Sequence, residues 1–408
     1  MKTTKIKTSN TNSQILVSLI LIMVLSSFLI GANSCPIILV HGFFGWGPDE
    51  AGEYNYWGGH IDLVEFLTEA GYEVYPVSIG PISSNWDRAV ELFYQVKGGQ
   101  VDYGESHSQK FNLVRFPPGK TYPGIYPQWD ADHPIHIIGH SMGGQTSRQL
   151  EYLLQNRWEL ETSALLGESV DGWIFSITTL STPHNGTTLV PILDDMLTLF
   201  DNLLPYIIGF HENSIWEDIF DYDLEQWGLG RLPDEKFHDY IKRLDDSAVG
   251  HSSNLCAWDL SLDGARELNS VYLSDPSTYY FSYSTSATRR DDRTGYHLPD
   301  DKMAWRLWAN GFRMGRYSGA DSTWYENDGV VNTNSMIAPT TGDRGPEPWH
   351  IYTGTPVPGI WQYMGNLHMC HLAVIGHELF TRDTSAQEQL FLHHCNLLYQ
   401  LDPVVRNP

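Results

Sequence analysis

Basic residues are scarce in this chain, with 25 Lys and Arg against 49 Asp and Glu and a formal net charge of −24. So acidic a protein repels phosphate backbones and anionic bilayers, which excludes nucleic-acid binding and electrostatic recruitment to charged membranes. Neutral lipid surfaces are not excluded. Cysteine is scarce too. Cys35, Cys256, Cys370 and Cys395 fit no zinc-ligand spacing, and a chain of 408 residues buries enough core to stand without disulfide staples. Buried thiols and two bridges both remain open. No internal repeat marks a solenoid or propeller, and no tract is biased enough for disorder. Long apolar runs are missing with one exception, Ile15 to Ile30.

That exception follows Lys2, Lys5 and Lys7 and precedes Ala32 and Ser34 in a small-x-small arrangement. The layout predicts a signal peptide over 1–34, cleaved before Cys35, and a secreted protein. By its pattern a buried strand starts at once, at Pro36 or Ile37, which leaves no linker between a membrane anchor and a packed sheet; the mature chain is expected to have no integral membrane span. Cleavage removes three lysines and no acids, moving the formal charge from −24 to about −27.

What is present reads as one α/β domain over 35–408. Ile37–Val40 is a short β-branched run ending in the glycine-rich turn His41-Gly42-Phe43-Phe44-Gly45. Helical spacing follows from His60 to Ala70, then strand-like residues from Glu73 to Ile79, where Pro76 predicts an irregular or edge strand. A second helix starts near Ser84 or Asn85 and stops at Gly98-Gly99. The polar, aromatic stretch that follows belongs to an insertion placed at about 80–127. Ile135–Ile138, Ile174–Leu180 and Tyr279–Ser284 are further strands. Strands alternating with helices predict a mainly parallel sheet covered on both faces.

Gly139-His140-Ser141-Met142-Gly143 is a G-x-S-x-G sequence between a strand and a helix. Nucleophilic chemistry needs this shape. A tight turn lifts the serine oxygen above the sheet, and the helix behind it aims free N–H groups at a developing oxyanion. A serine needs a base, and the base needs an acid to fix its tautomer. Asp328, beside Gly329 and just before Val330-Val331, is the candidate acid. The base comes from the histidines near the C-terminus, and the residues alone do not decide between His368 and His371. The oxyanion donors are placed on the backbone N–H groups of Met142 and of Phe43, which follows the first strand.

Longer blocks are more specific. PIILVHGFFGWG from Pro36, NYWGG from Asn55, SSNWDRAVELFYQVKGGQVDYG from Ser83, HIIGHSMGGQTSR from His136, SITTLSTPHNGTTL from Ser176, WDLSLDGARELN from Trp258 and YENDGVVNT from Tyr325 follow in that order. The chain resembles the bacterial true lipases of the staphylococcal and thermoalkalophilic Bacillus group, from Pro36 to about Ile375. The resemblance implies an α/β-hydrolase fold with a mobile lid, and hydrolysis of triacylglycerols or other lipid esters at an oil–water interface. It implies Ser141, Asp328 and His371 as catalytic residues, with Phe43 and Met142 at the oxyanion. Cys370 stands where the family has an aspartate.

The family also carries zinc on its insertion. Asp87, His107 and Asp259 fall on three ligand positions and Leu113 on the fourth, so a structural zinc and a metal-free hydrogen-bonded cluster are both open. Calcium is doubtful, since Ala373 replaces an expected carboxylate and Glu378 alone would not supply the oxygens calcium needs. No cofactor is needed for the chemistry. A lid region is placed at about 188–230, where Ile192, Met196, Leu199 and Leu203 recur on a broad apolar stripe. Asn185-Gly186-Thr187 has the form of a glycosylation sequon, but its place beside the expected site favours a structural turn. An esterase for soluble esters and an inactive lipid-binding protein are the competing readings.

Overall fold

The computed structural model describes residues 32–193 and 223–404, apart from 49, 51, 53, 233–234, 246, 248–251, 341–346 and 378–383. Most of the segment expected to be a signal peptide (up to residue 31), most of the expected lid region (194–222) and Glu378 lie outside the described residues.

The strands, in chain order, are β1 (Ile37–Val40), β2 (Val74–Pro76), β3 (Gly99–Gln100), β4 (Thr121–Tyr122), β5 (Ile135–His140), β6 (Ile174–Leu180), β7 (Tyr279–Ser286), β8 (Thr288–Arg290), β9 (His297–Pro299), β10 (Trp349–Ile351) and β11 (Trp361–His368). Among the described residues seven of them form one sheet in the order β10-β11-β7-β6-β5-β1-β2. Every neighbouring pair in it is parallel. β3 with β4, and β8 with β9, make short antiparallel ribbons outside it. The fold is that of an α/β-hydrolase. β2 is an edge, as Pro76 predicts, because a residue without an N–H is tolerated only where a ladder partner is missing.

The sheet is buried on both faces. Along β1, Ile37 and Leu39 pack to one side, Ile38 and Val40 to the other. The second side is covered by α2 (Asn85–Lys97) and α4 (Met142–Gln155) through Val90, Phe93, Leu150 and Leu154. The first is covered by α1 (Leu63–Glu69) and α7 (Ser385–Tyr399) through Leu63, Leu67, Phe391 and Leu398. Both early helices are capped as their sequences require. Asp62 accepts from the Glu65 N–H and Ser84 from the Asp87 N–H. The chain also forms α3 (Glu105–Phe111), α5 (Cys256–Leu260) and α6 (Leu262–Val271).

β10 and β11 are absent from the sequence reading. β11 carries Gln362, Asn366 and His368 and is interrupted at Gly365, where the register slips against β7, so no clean apolar alternation marks it. The thiols of Cys35, Cys256 and Cys395 are not bridged, and burial raises all three above their ordinary value. No helix among the described residues is long and apolar enough to cross a membrane.

Candidate active site

In a parallel sheet the strand ends point one way, and the crevice outside their carboxyl ends collects functional loops. Here β1 ends at His41-Gly42-Phe43, β5 at Ser141 and β11 just before His371. Ser141 is the hinge between β5 and α4, with φ 55° and ψ −128°. That is a strained backbone for a residue with a side chain, and surrounding contacts hold it. The Ser141 N–H donates to the Leu180 carbonyl (2.8 Å), and its own carbonyl accepts from Thr182 Oγ1 (2.8 Å). The turn also needs close backbone approach. A Cβ at Gly42 would sit 2.7 Å from Ser141 Cβ, so only glycine lets the β1 loop lie against the serine.

His371 Nε2 lies 2.9 Å from Ser141 Oγ, and His371 Nδ1 lies 2.7 Å from Asp328 Oδ2. The structure thus brings together three residues from three loops, separated by up to 230 positions in the chain. His371, not His368, reaches the serine. His368 stays at the end of β11, half-exposed, 2.8 Å from Asp300 Oδ2. Asp328 is fully buried. Its Oδ1 accepts from the Val330 and Val331 N–H groups (3.0 and 2.8 Å), and Thr285 Oγ1 donates to Oδ2 (2.7 Å). Those donors fix the carboxylate with a lone pair aimed at the imidazole. The Thr285 hydroxyl is a site residue the sequence reading missed.

Phe43 lines the small apolar cavity over Ser141, together with Leu189, Val190, Leu260, Val330 and Leu372. Met142 is the first residue of α4, so its N–H belongs to the donors that have no acceptor within the helix. The loop that carries Phe43 is pinned from below. The buried Arg88 guanidinium donates to the His41 carbonyl (2.5 Å), the Gly80 carbonyl (2.7 Å) and Thr146 Oγ1 (3.0 Å). The Ile79 N–H donates to His41 Nε2 (3.1 Å), which leaves Nδ1–H to donate to the Gly42 carbonyl (2.9 Å). Burial first, then the Arg88 charge, push His41 down to about 3, so the ring stays neutral.

None of the candidate zinc residues lines this cavity, although Asp259 immediately precedes Leu260, which does. His107 Nε2 is 2.8 Å from Asp87 Oδ1, and the His107 ring stacks on Trp86 with centroids 4.8 Å apart. The other Asp87 oxygen accepts from Asn254 Nδ2 (3.0 Å) and Gln226 Nε2 (3.3 Å). Asp259 turns elsewhere, its Oδ2 accepting from the Asn85 N–H (2.5 Å), and burial pushes its carboxyl up to about 7. Leu113 offers only carbon, and among the described residues no three His, Cys, Asp or Glu side chains converge to hold a metal. In this arrangement Asp87 is occupied by two side-chain amide N–H groups and by His107, and Leu113 supplies no fourth ligand. At the candidate calcium position, Ala373 is apolar and buried. Asn185 has its carboxamide engaged, donating to the Ala338 carbonyl and accepting from Asn269 and Thr340, as a structural turn requires.

Comparison with known proteins follows the same outline. A family model described as the lipase-like C-terminal domain matches residues 33–403. Lipase 1 of Staphylococcus aureus is 36% identical over 381 residues, covering 89% of this chain and 54% of its own. A lipase of Staphylococcus epidermidis is 36% identical over 377 residues, covering 88% and 53%. The chain therefore spans about half the length of the curated relatives it matches. Among solved structures, EstA from Clostridium botulinum superposes with a TM-score of 0.85 at 36% identity, over 92% of this chain and 90% of that one. The Staphylococcus hyicus lipase gives 0.78 at 32%, over 91% and 97%. A sequence match over nearly all of its residues and this shared fold make the chain a member of the lipase-like family to which the staphylococcal lipases belong.

Proposed function

We propose that this protein is a secreted lipase that hydrolyses carboxylic esters of acylglycerols through an acyl-enzyme on Ser141. The observation that carries the reading is the unbroken chain from buried Asp328 through His371 to Ser141 Oγ, which opens on an apolar cavity bordered by Phe43. Ser141 Oγ attacks the ester carbonyl as its proton passes to His371 Nε2, and Asp328 stabilises the imidazolium and keeps Nδ1 protonated. The carbonyl oxygen becomes an oxyanion held by the Phe43 and Met142 N–H groups. His371 then gives its proton to the leaving alcohol. Water, activated in turn by His371, releases the fatty acid and restores Ser141.

The apolar lining fits an acyl chain, and the named lipase relatives support a lipid ester as substrate. The N-terminal layout supports secretion, and the apolar stripe around 188–230 supports a lid over the cavity. The Asp87–His107 pair is read as a hydrogen-bonded clasp between the insertion and the segment around Gln226 rather than as a zinc site.

The test is hydrolysis of emulsified long-chain triacylglycerol against a soluble short-chain ester, with Ser141→Ala as control. Cleavage of the emulsion and a silent variant are expected. Cleavage of the soluble ester alone would make the protein an esterase. No cleavage of either by folded protein would return it to the lipid-binding reading.

A further inference from the structure

Two side chains outside the catalytic three connect the oxyanion loop to the catalytic histidine. The Gly42 N–H donates to Tyr56 Oη (2.8 Å), Tyr56 Oη lies 2.7 Å from His140 Nδ1, and His140 Nε2 lies 3.0 Å from the His371 carbonyl. The direction of every link is fixed by its two ends. A carbonyl only accepts, so His140 Nε2 carries a proton. The ring is fully buried, and burial holds it well below the ordinary histidine value, so it is neutral and its Nδ1 is bare. Tyr56 must then donate its hydroxyl proton to Nδ1, which leaves the phenol oxygen to accept from Gly42. Each group has one tautomer or rotor that satisfies the chain, and all of it is shielded from water.

We propose that Tyr56 and His140 are positioning residues that hold the Gly42-Phe43 loop and the His371 backbone in register. The inference rests on the triad reading given above. Gly42 immediately precedes the proposed oxyanion donor Phe43, and His371 is the proposed base. The relay therefore ties the group that stabilises the oxyanion to the group that moves the proton, through His140 of the nucleophile turn itself. A shift of either against Ser141 would cost the transition state more than the bound ester, because the oxyanion and the proton transfer exist only there.

The experiment is a kcat and KM comparison on a soluble ester, with active sites counted by fluorophosphonate titration so that an unfolded fraction drops out. Tyr56→Phe removes one hydroxyl and leaves the ring. It is expected to lower kcat about tenfold or more, with KM within about twofold of the parent. His140→Gln keeps a donor for the His371 carbonyl and is expected to retain more kcat than His140→Leu, which keeps none. A Tyr56→Phe enzyme with undiminished kcat, or one whose KM alone rises, overturns the relay. If Tyr56→Phe does not fold, equal kcat for His140→Gln and His140→Leu overturns it instead. Ser141→Ala separates the two levels. An active Ser141→Ala removes the triad reading, whereas a silent one beside an undiminished Tyr56→Phe removes the relay alone.

Discussion

Among the described residues two buried Asp–His pairs have nearly equal geometry, Asp328–His371 at 2.7 Å and Asp87–His107 at 2.8 Å. Only one sits where it can act. His371 presents its second nitrogen to Ser141 Oγ beneath an apolar cavity. His107 is packed between Trp86 and Phe111, and its aspartate is saturated by side-chain amides from distant segments. The aspartates differ accordingly. Asp328 takes two backbone N–H groups from its own turn, which leaves it aimed at one histidine, while Asp87 gathers Asn254, Gln226 and His107 into a joint. An Asp–His hydrogen bond is thus no signature of catalysis. What lies beyond the imidazole decides the matter.

The largest expected effect separates the two pairs. Asp328→Asn, which forces the wrong tautomer on His371, should lower kcat by about 10³–10⁴-fold. Asp87→Asn should leave kcat within about threefold, since nothing it touches reaches the ester. Equal losses in the two variants, measured on one soluble ester, would erase the distinction.

A second effect concerns the histidines that are not catalytic. Burial holds His41, His136 and His394 down to about 3 and His140 and His184 well below their ordinary value. Their folded-state values are lowered, so as pH falls below about 6.5 the unfolded chain takes up protons that the folded chain refuses. Stability is therefore full above pH 7 and lost progressively toward pH 5, by about 1–2 kcal/mol for each such histidine. Denaturant unfolding across that window should show a steep fall. A flat profile would mean that these rings accept protons while folded.

Smaller still, Asp87→Ala should cost about 1–3 kcal/mol of stability, because the Asn254, Gln226 and His107 donors lose their acceptor. The smallest effect is the absence of one. A chelator should leave the thermal midpoint unchanged and release no stoichiometric zinc into a colorimetric indicator. A drop in midpoint with zinc released would turn the Asp87 clasp into a metal site.

Much of this was readable in advance where the signal is local. Ile37–Val40, Ile135–Ile138 and Ile174–Leu180 are short runs rich in β-branched and apolar residues and buried on both faces, and the helix from Asn85 is capped by the residue before it. The turn at Ser141 announces itself because glycines must sit within a few residues of the serine. Signals failed where partners are distant. Tyr56 meets His140 from 84 positions away and Arg88 meets His41 from 47, so nothing in their neighbourhoods marks them as polar groups bound for the core. The choice between His368 and His371 turned on three residues of loop after β11. Neither periodicity nor propensity ranks two histidines so close together, and β11 itself was hidden by its polar side chains and the break at Gly365.

Whether Asp328 and His371 activate Ser141 is tested by the rate of fluorophosphonate labelling, with the modified peptide identified by mass spectrometry, in the parent, Asp328→Asn and Asp87→Asn proteins. One label on Ser141 is expected, formed at the parental rate in Asp87→Asn and at least about a hundredfold more slowly in Asp328→Asn. Labelling at another residue, or equal rates in the two variants, would contradict it.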